Sequence, residues 1–193
     1  MMRDRILMHT CCGPCSTYVI KRLREEGYED ITSYWYNLNI HPYTEYKLRL
    51  ESLQKYTEMV NVPLIVEDYY GVREFTQNVV ENIDGRCSYC YRKRLETAVK
   101  YAKENGFDCF TTTLLVSIYQ KHDEIIKVCT ELSKEYDIPF VYFDFREGFY
   151  EGQKMAREAG LYMQKYCGCI YSEEESSRYR EKRQKEKEAK RTN

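Results

Sequence analysis

Seven of the nine cysteines in this 193-residue chain fall into three short segments near its beginning, middle and end. The segments are Cys11-Cys12-Gly13-Pro14-Cys15, Cys87-Ser88-Tyr89-Cys90 and Cys167-Gly168-Cys169. Thiolates bind soft and borderline metals, and adjacent or CxxC cysteines can reach one centre without straining the backbone. The spacing therefore predicts one shared iron–sulfur or zinc site, which the fold must assemble from distant parts of the chain.

The first two segments each offer a pair of ligands. Cys11 and Cys12 are adjacent, so their side chains diverge and suit two irons of one cluster better than one tetrahedral zinc ion. Cys87 and Cys90 are three residues apart at a predicted helix start, where both sulfurs share a face and the positive helix end favours thiolate. The two pairs make a Cys₄ ligand set, with a structural zinc site as the alternative to an iron–sulfur cluster.

The remaining clustered cysteines have several interpretations. Cys15 is either a buried thiol under the first helix or a ligand to a second metal. Gly168 relaxes the backbone between Cys167 and Cys169 enough for a small, strained disulfide ring. A strained disulfide is easily reduced, so this pair suits a redox relay, although it could also supply metal ligands or be two incidental thiols.

The composition is that of a globular protein, with 42% hydrophobic and 32% charged residues. No stretch approaches the roughly 20 apolar residues of a membrane span, and no secretory leader is visible, so we expect a cytoplasmic protein without a membrane partner. A reducing cytosol favours metal or redox chemistry over structural disulfides. Cys109 and Cys129 stand alone in apolar segments, where we expect small buried side chains.

Predicted strands alternate with predicted helices along the chain. Strands are expected at 5–9, 31–36, 63–66, 108–115 and 139–143, and helices at 16–26, 43–59, 72–82, 87–105, 123–135 and 150–159. This alternation indicates an α/β fold, with a largely parallel sheet covered by helices on both faces. Ligands in such folds bind beyond the carboxyl ends of the strands, at the edge where Cys11 follows the first strand.

We expect one catalytic domain over residues 1–172 and a charged, basic C-terminal helix or tail over residues 173–193. From residue 178 to the end there are eight Lys or Arg and three Glu, a net charge of +5. Such a segment could touch an RNA backbone, although a charge run is usually a solvated helix face.

Many of the twenty tyrosines will pack in the core, but those beside basic residues could stack unpaired bases.

The turn after the first strand, where nucleotide-binding folds have a glycine-rich loop, lacks the GxGxxG and GxxxxGK[ST] patterns. ATP is therefore not expected as a cofactor, and no cobalamin or flavin motif is visible.

His9 and His41 flank predicted strand ends, where each is either a proton donor near neutral pH or a structural side chain.

The ordered set of motifs resembles the QueH type of epoxyqueuosine reductase over nearly the whole chain, to about residue 172. The resemblance rests on MHTCCGPC at 8–15, NIHP at 39–42, GRCSYC at 85–90, TTTLLVS at 111–117, DFR at 144–146 and YCGC at 166–169. It implies reduction of the epoxide of epoxyqueuosine to queuosine, the last step in making that base at the wobble position of certain tRNAs. It also implies the Rossmann-like fold shared with adenine-nucleotide hydrolases.

The resemblance further implies a [4Fe–4S] cluster and a redox-active cysteine pair. The cluster would be held by Cys11, Cys12, Cys87 and Cys90, and the pair would be Cys167 and Cys169. The partner would be a tRNA anticodon loop carrying epoxyqueuosine, and an external electron donor would be required.

Loss of the epoxide oxygen as water needs two electrons, two protons and a Lewis acid. A cluster iron, or an additional iron near the surplus thiols, would serve as that acid. The candidates for a proton donor or a further ligand are His9, His41 and Asp84.

Two other functions remain open. A Cys-Cys-Gly motif also occurs in heterodisulfide-reductase-like proteins, so the chain could be a thiol–disulfide oxidoreductase. The long gap between Cys12 and Cys87 speaks against that interpretation. A non-catalytic RNA-binding module with structural zinc would use the same cysteines, and it would be colourless with no paramagnetic signal on reduction.

Overall fold

A computed structural model describes the backbone of residues 4–192 and the side chains of residues 4–190. Its sheet has four parallel strands: β1 (Ile6–His9), β2 (Ile31–Trp35), β3 (Leu64–Val66) and β4 (Cys109–Thr112). They lie in the order β3-β2-β1-β4, so β1 has a neighbour on each side. The expected α/β class with a parallel, Rossmann-like sheet is confirmed.

Seven α-helices surround the sheet in the described part of the chain. They are α1 (Gly13–Glu25), α2 (Tyr43–Met59), α3 (Val72–Val79), α4 (Arg86–Glu104), α5 (His122–Tyr136), α6 (Phe149–Glu158) and α7 (Ile170–Thr192). The chain runs outward from β1 through β2 to β3 and then crosses back to β4 on the other side of β1. Connections between parallel strands are right-handed, so the helices before β3 and the helices between β3 and β4 lie on opposite faces of the sheet. The packing agrees: α1 contacts α2 and α6, whereas α4 contacts α3 and α5.

The central strand β1 lies wholly inside the protein. All four of its residues, Ile6 to His9, have no exposed surface, because neighbouring strands and helices cover them on every side. A second, smaller cluster around Trp35 packs α2 against the sheet. The residues that follow β1, Cys11 and Cys12 among them, are therefore attached to a fully packed strand that is shielded from water.

Two expected strands differ in the structure. Instead of a strand at 139–143 there is one isolated bridge between Phe110 and Phe140, after which the Asp144 carboxylate accepts from Arg146 N and turns the chain into a 3₁₀ helix. The strand expected at 108–115 ends at Thr112. The Thr112 hydroxyl accepts from the backbone N–H of Leu114 and so starts a 3₁₀ turn there.

The helix ends lie close to their expected positions, with α2 matching at both ends and α1 starting earlier than expected. The Sγ atom of Cys12 accepts from the backbone N–H of Cys15 at 3.4 Å and so caps α1 at its first turn.

The expected charged C-terminal helix is α7, and the proposed domain division at residue 172 stays a prediction. Within residues 4–192, no helix combines the length and the apolar composition that a membrane crossing needs.

The packing of α1 against α6 leaves no space at Gly148. A Cβ atom there would lie 2.1 Å from Cζ of the Tyr18 ring. Gly148→Ala should therefore lower the free energy of unfolding by about 1–3 kcal/mol, measured by urea denaturation. Gly152→Ala, within α6, is the control, because its Cβ would lie 3.1 Å from both the Thr17 hydroxyl and Tyr18 Cβ and should cost less. Equal stability of the two variants would contradict this account of the helix contact.

Candidate functional site

The cysteine segments lie at element ends that face the carboxyl edge of the sheet. Cys11 and Cys12 follow β1 directly, and Cys12 caps α1. Cys87 and Cys90 lie near the start of α4, and the last pair immediately precedes α7. Each segment therefore lies at a helix start, and backbone N–H groups there donate to the sulfurs of Cys12 and Cys169.

Cys11, Cys12 and Cys15 form a compact buried triad whose Sγ atoms all lie within 4.8 Å of one another. The Sγ atoms of Cys11 and Cys12 are 3.7 Å apart. That is close to the ~3.8 Å between thiolates on one tetrahedral ion with metal–sulfur bonds of about 2.3 Å. Cys15 therefore belongs to the sulfur site, and an all-sulfur donor set favours iron or zinc over magnesium or calcium.

Hydrogen bonding within this triad favours the thiolate form at Cys11 over Cys12 and Cys15. Hydrogen bonds from the Cys12 and Cys15 thiols hold the pKa of Cys11 well below its usual value. Burial raises the pKa of Cys12, and the thiol–thiol hydrogen bonds raise that of Cys15. Thr113 Oγ1 donates to Cys11 Sγ at 3.5 Å, and Gln164 Nε2 donates to Cys12 Sγ at 3.1 Å.

Cys87 and Cys90 face the last cysteine segment. Burial raises the pKa of Cys90 to about 12 and also raises that of Cys87. The charges of Cys167 and Cys169 act on Cys90, and the charge of Cys169 acts on Cys87. The cysteines at the start of α4 therefore interact electrostatically with those of the segment before α7.

The segment that carries Cys167 is held in place by Arg49 of α2. Arg49 is 1% exposed; its Nη1 donates to the Cys167 carbonyl at 2.8 Å, and its Nη2 donates to the Tyr166 carbonyl at 2.9 Å. Its Nε pairs with the Glu45 carboxylate at 2.7 Å, so the buried charge is neutralised. Gly168 has a φ of +153°, a conformation that suits glycine.

Cys167 and Cys169 differ in their surroundings. Cys167 is exposed and its Sγ accepts from Gln120 Nε2 at 3.2 Å, whereas Cys169 is buried and its Sγ accepts from the backbone N–H of Ser172 at 3.4 Å. Both are free thiols in this structure, as are the other seven cysteines. Their role as a redox-active pair stays a prediction.

Arg94 joins the other two cysteine segments. Its Nη1 lies 3.7 Å from Cys90 Sγ, and its Nη2 donates to Asn37 Oδ1 at 2.5 Å. Asn37 Nδ2 in turn donates to the carbonyl of Thr10 at 2.9 Å. One guanidinium therefore ties the start of α4 to the loops after β1 and β2, next to Cys11.

The two candidate histidines are buried and neutral. Burial, followed by the charge of Arg94, lowers the pKa of His9 to about 3, and burial lowers that of His41 to about 4. His9 contacts the Thr112 hydroxyl at 2.9 Å, and His41 Nε2 lies 3.0 Å from the Leu38 carbonyl. These contacts favour structural roles for both rings, while Asp84 is exposed in the turn before α4.

The structure adds two site residues that the sequence interpretation had not singled out. Arg49 carries a local signal, since it follows Glu45 by one helical turn, whereas Gln164 has none. Thr113 lies in the TTTLLVS motif at 111–117 and contacts Cys11 sulfur, and Gln120, just beyond that motif, contacts Cys167 sulfur.

The comparisons with known proteins agree with the order of the motifs. The family model described as "Epoxyqueuosine reductase QueH" matches residues 6–175. A protein of that name from Dehalococcoides mccartyi is 37% identical over 174 residues, which are 90% of this chain and 95% of that relative. The Histophilus somni protein of that name is 33% identical over 92% of this chain and 76% of its own length.

The buried neutral imidazole of His41 should make the fold less stable in acid. Its pKa is about 4 when folded, against a usual 6.5, so below pH 6.5 the unfolded chain binds a proton that the folded chain does not. The free energy of unfolding should therefore fall as the pH drops from 6.5 toward 4, by at most about 1.4 kcal/mol per pH unit for this group.

His41→Gln should reduce this pH dependence without removing it, because His9 makes a similar contribution in both proteins. The measurement is urea denaturation under reducing conditions at pH 7 and pH 5. An equal loss of stability in the two proteins would show that His41 is not the group responsible.

Proposed function

Because the chain belongs to the QueH family of epoxyqueuosine reductases, we propose that it reduces the epoxide of epoxyqueuosine in tRNA to queuosine. The structural observation that supports the proposal most is the arrangement of three cysteine segments around the carboxyl edge of a parallel sheet. That edge is where α/β folds bind their ligands. The sulfurs there lie among hydrogen-bond donors such as Thr113 and Gln164, which suits a polar substrate.

The donor set fits an iron–sulfur cluster. The buried thiols are fixed at helix starts, and Arg94 supplies positive charge close to them. We assign the ligands of a [4Fe–4S] cluster to Cys11, Cys12, Cys87 and Cys90, and we assign Cys15 as a spare thiol for an additional iron. When bound, such a group supplies electrons one at a time, and an iron acts as a Lewis acid toward an epoxide oxygen.

Cys167 and Cys169 are the proposed redox-active pair. Loss of an epoxide oxygen as water consumes two electrons and two protons, and two thiols release the same amount when they form a disulfide. Cys167 is exposed, so an external electron donor can reach it to reduce the pair again. Arg49 holds the backbone of this segment, which keeps the two sulfurs at the edge of the site.

The proposed substrate is an anticodon loop that carries epoxyqueuosine at the wobble position. Bases in such a loop are unpaired, so one base can be splayed into a pocket at modest cost. A tRNA substrate places the reaction in the cytoplasm. The electron donor would be a separate protein or a small reductant.

The experiment that tests the function uses anaerobically purified protein, a reductant and tRNA that contains epoxyqueuosine. Digestion of the tRNA and chromatography of its nucleosides should show conversion of epoxyqueuosine to queuosine. Iron, sulfide and zinc are measured on the same sample, and we expect about four irons and four sulfides in a brown protein that dithionite bleaches. One zinc, no colour and no conversion would instead support the RNA-binding module.

Serine variants separate the two proposed roles of the cysteines. Cys11→Ser and Cys87→Ser should abolish both the visible absorption and the conversion, whereas Cys167→Ser should keep the absorption and stop turnover. Cys109→Ala is the matched control, because it removes a buried thiol of β4 from the opposite edge of the sheet. Loss of the absorption in Cys167→Ser would mean that this cysteine is a ligand and not part of a relay.

A further inference from the structure

Arg94 is a buried cation without a carboxylate partner in the described part of the chain. It is 1% exposed, its hydrogen bonds go to the Cys90 thiol and the Asn37 amide, and its Nε has no partner. Arg49 offers a direct contrast, because it is equally buried but forms an ion pair with Glu45. A buried charge is costly unless an opposite charge lies near it.

Sulfur lies beside Arg94 where a carboxylate would be expected. Its Nη1 is 3.7 Å from Cys90 Sγ, and its Nη2 donates to Asn37, whose amide donates to the carbonyl of Thr10 next to Cys11. Arg94 is therefore anchored between the first and second cysteine segments.

We propose that Arg94 is a positioning residue that acts as the fixed counter-charge of the whole sulfur site. It stabilises negative charge there, whether that charge is on a thiolate or on a cluster that has accepted an electron. A fixed positive charge beside a redox group favours its reduced form and therefore raises its midpoint potential. The redox part of this inference rests on the proposed function, but its test does not require epoxide reduction.

The test is a spectroscopic redox titration of the visible absorption in anaerobically purified protein. Arg94→Gln should make reduction at least tenfold less favourable, a shift of about 59 mV to more negative potential for a one-electron couple. Arg94→Lys keeps the charge and should stay within threefold of the wild type. Arg22→Gln is the control, because Arg22 lies in the last turn of α1, at the end opposite Cys12, and its charge is paired with Glu26 and Glu147, so the potential should stay nearly unchanged.

Asn37→Asp covers the case in which Arg94→Gln does not fold. It keeps the side-chain shape and gives Arg94 a carboxylate partner, at the cost of the amide donor to the Thr10 carbonyl, so the guanidinium charge is neutralised and the potential should also fall. An unchanged potential in Asn37→Asp or Arg94→Gln would overturn the proposal, as would a protein that binds zinc alone. A shifted potential in a protein that leaves epoxyqueuosine intact would support the role of Arg94 and contradict the proposed function.

A separate observation concerns the loop formed by residues 117–121, which leaves the same edge of the sheet. Tyr119 is 83% exposed, and its neighbour Gln120 donates to Cys167 Sγ at 3.2 Å. Tyr91 OH donates to Gln120 Oε1 at 2.6 Å and so fixes the loop. The Tyr119 ring packs edge-on against Phe149 with centroids 5.7 Å apart, which orients an otherwise open aromatic face.

We infer that Tyr119 stacks on an unpaired nucleotide beside the one whose base enters the sulfur site. An exposed, oriented ring beside the loop contact with Cys167 is suited to this task, because every base offers a flat face to an aromatic side chain. The adjacent Lys121 side chain is 54% exposed and only loosely paired with Glu124, at 4.0 Å, so it can supply a cation for the RNA backbone. The inference rests on the proposed function for its choice of RNA as the partner.

Binding of a fluorescent anticodon stem-loop RNA, followed by anisotropy, tests this inference. Tyr119→Ala should weaken binding about five- to 150-fold, as expected for one lost base-stacking contact, whereas Tyr119→Trp should retain it. The control is Tyr28→Ala, because Tyr28 is a half-buried tyrosine just before β2, at the opposite, amino edge of the sheet.

Unchanged RNA binding by Tyr119→Ala would overturn the stacking role. Reduction of the free nucleoside by a protein that does not bind the stem-loop would also overturn it while leaving the reductase function intact. Binding that depends on Tyr119 without any epoxide reduction would support the RNA contact and contradict the proposed function.

Discussion

Positive charge buried among sulfur atoms is the constraint on which this site depends. Arg94 and Arg49 are each 1% exposed, and a guanidinium cannot be buried cheaply unless negative charge compensates it. Glu45 provides that charge for Arg49. Arg94 has neutral hydrogen-bond partners, so the sulfurs around it must carry the compensating charge. The carboxyl edge of the sheet is therefore an environment in which an anionic sulfur group is stable although it is shielded from water.

The same two arginines also determine where the cysteines lie. Arg94 extends from α4 to Asn37, whose amide donates to the carbonyl of Thr10 beside Cys11. Arg49 extends from α2 to the two carbonyls that precede Gly168. These contacts join parts of the chain that are far apart in sequence, so each guanidinium couples the charge of the site to its geometry. Such coupling suits a redox centre, because a group that accepts electrons must keep its position when its charge changes.

Local signals in the sequence were sufficient for some elements and insufficient for others. The limits of α2 match the prediction, although its buried face carries Glu45 and Arg49 as well as apolar residues such as Leu53. The earlier start of α1 depends on a cap by the Cys12 sulfur, an uncommon cap that propensities do not anticipate. Segment 139–143 has the composition of a strand, yet it forms one bridge to Phe110, because strand pairing is decided by tertiary contacts. The cysteine segments were evident from spacing alone, whereas the contact between Gln164 and Cys12 depends on a loop that only the fold brings there.

The neutral histidines restrict where the protons of the proposed reaction come from. His9 and His41 have pKa values of about 3 and about 4, so neither is an imidazolium at neutral pH. His41 Nε2 lies 3.0 Å from the Leu38 carbonyl, which occupies the N–H of the neutral ring. A pair of thiols releases two protons together with two electrons, which is the amount that loss of the epoxide oxygen as water consumes. In the proposed reaction, proton supply and electron supply would belong to the same pair, Cys167 and Cys169, and the exposed position of Cys167 would let the pair be reduced again from solution.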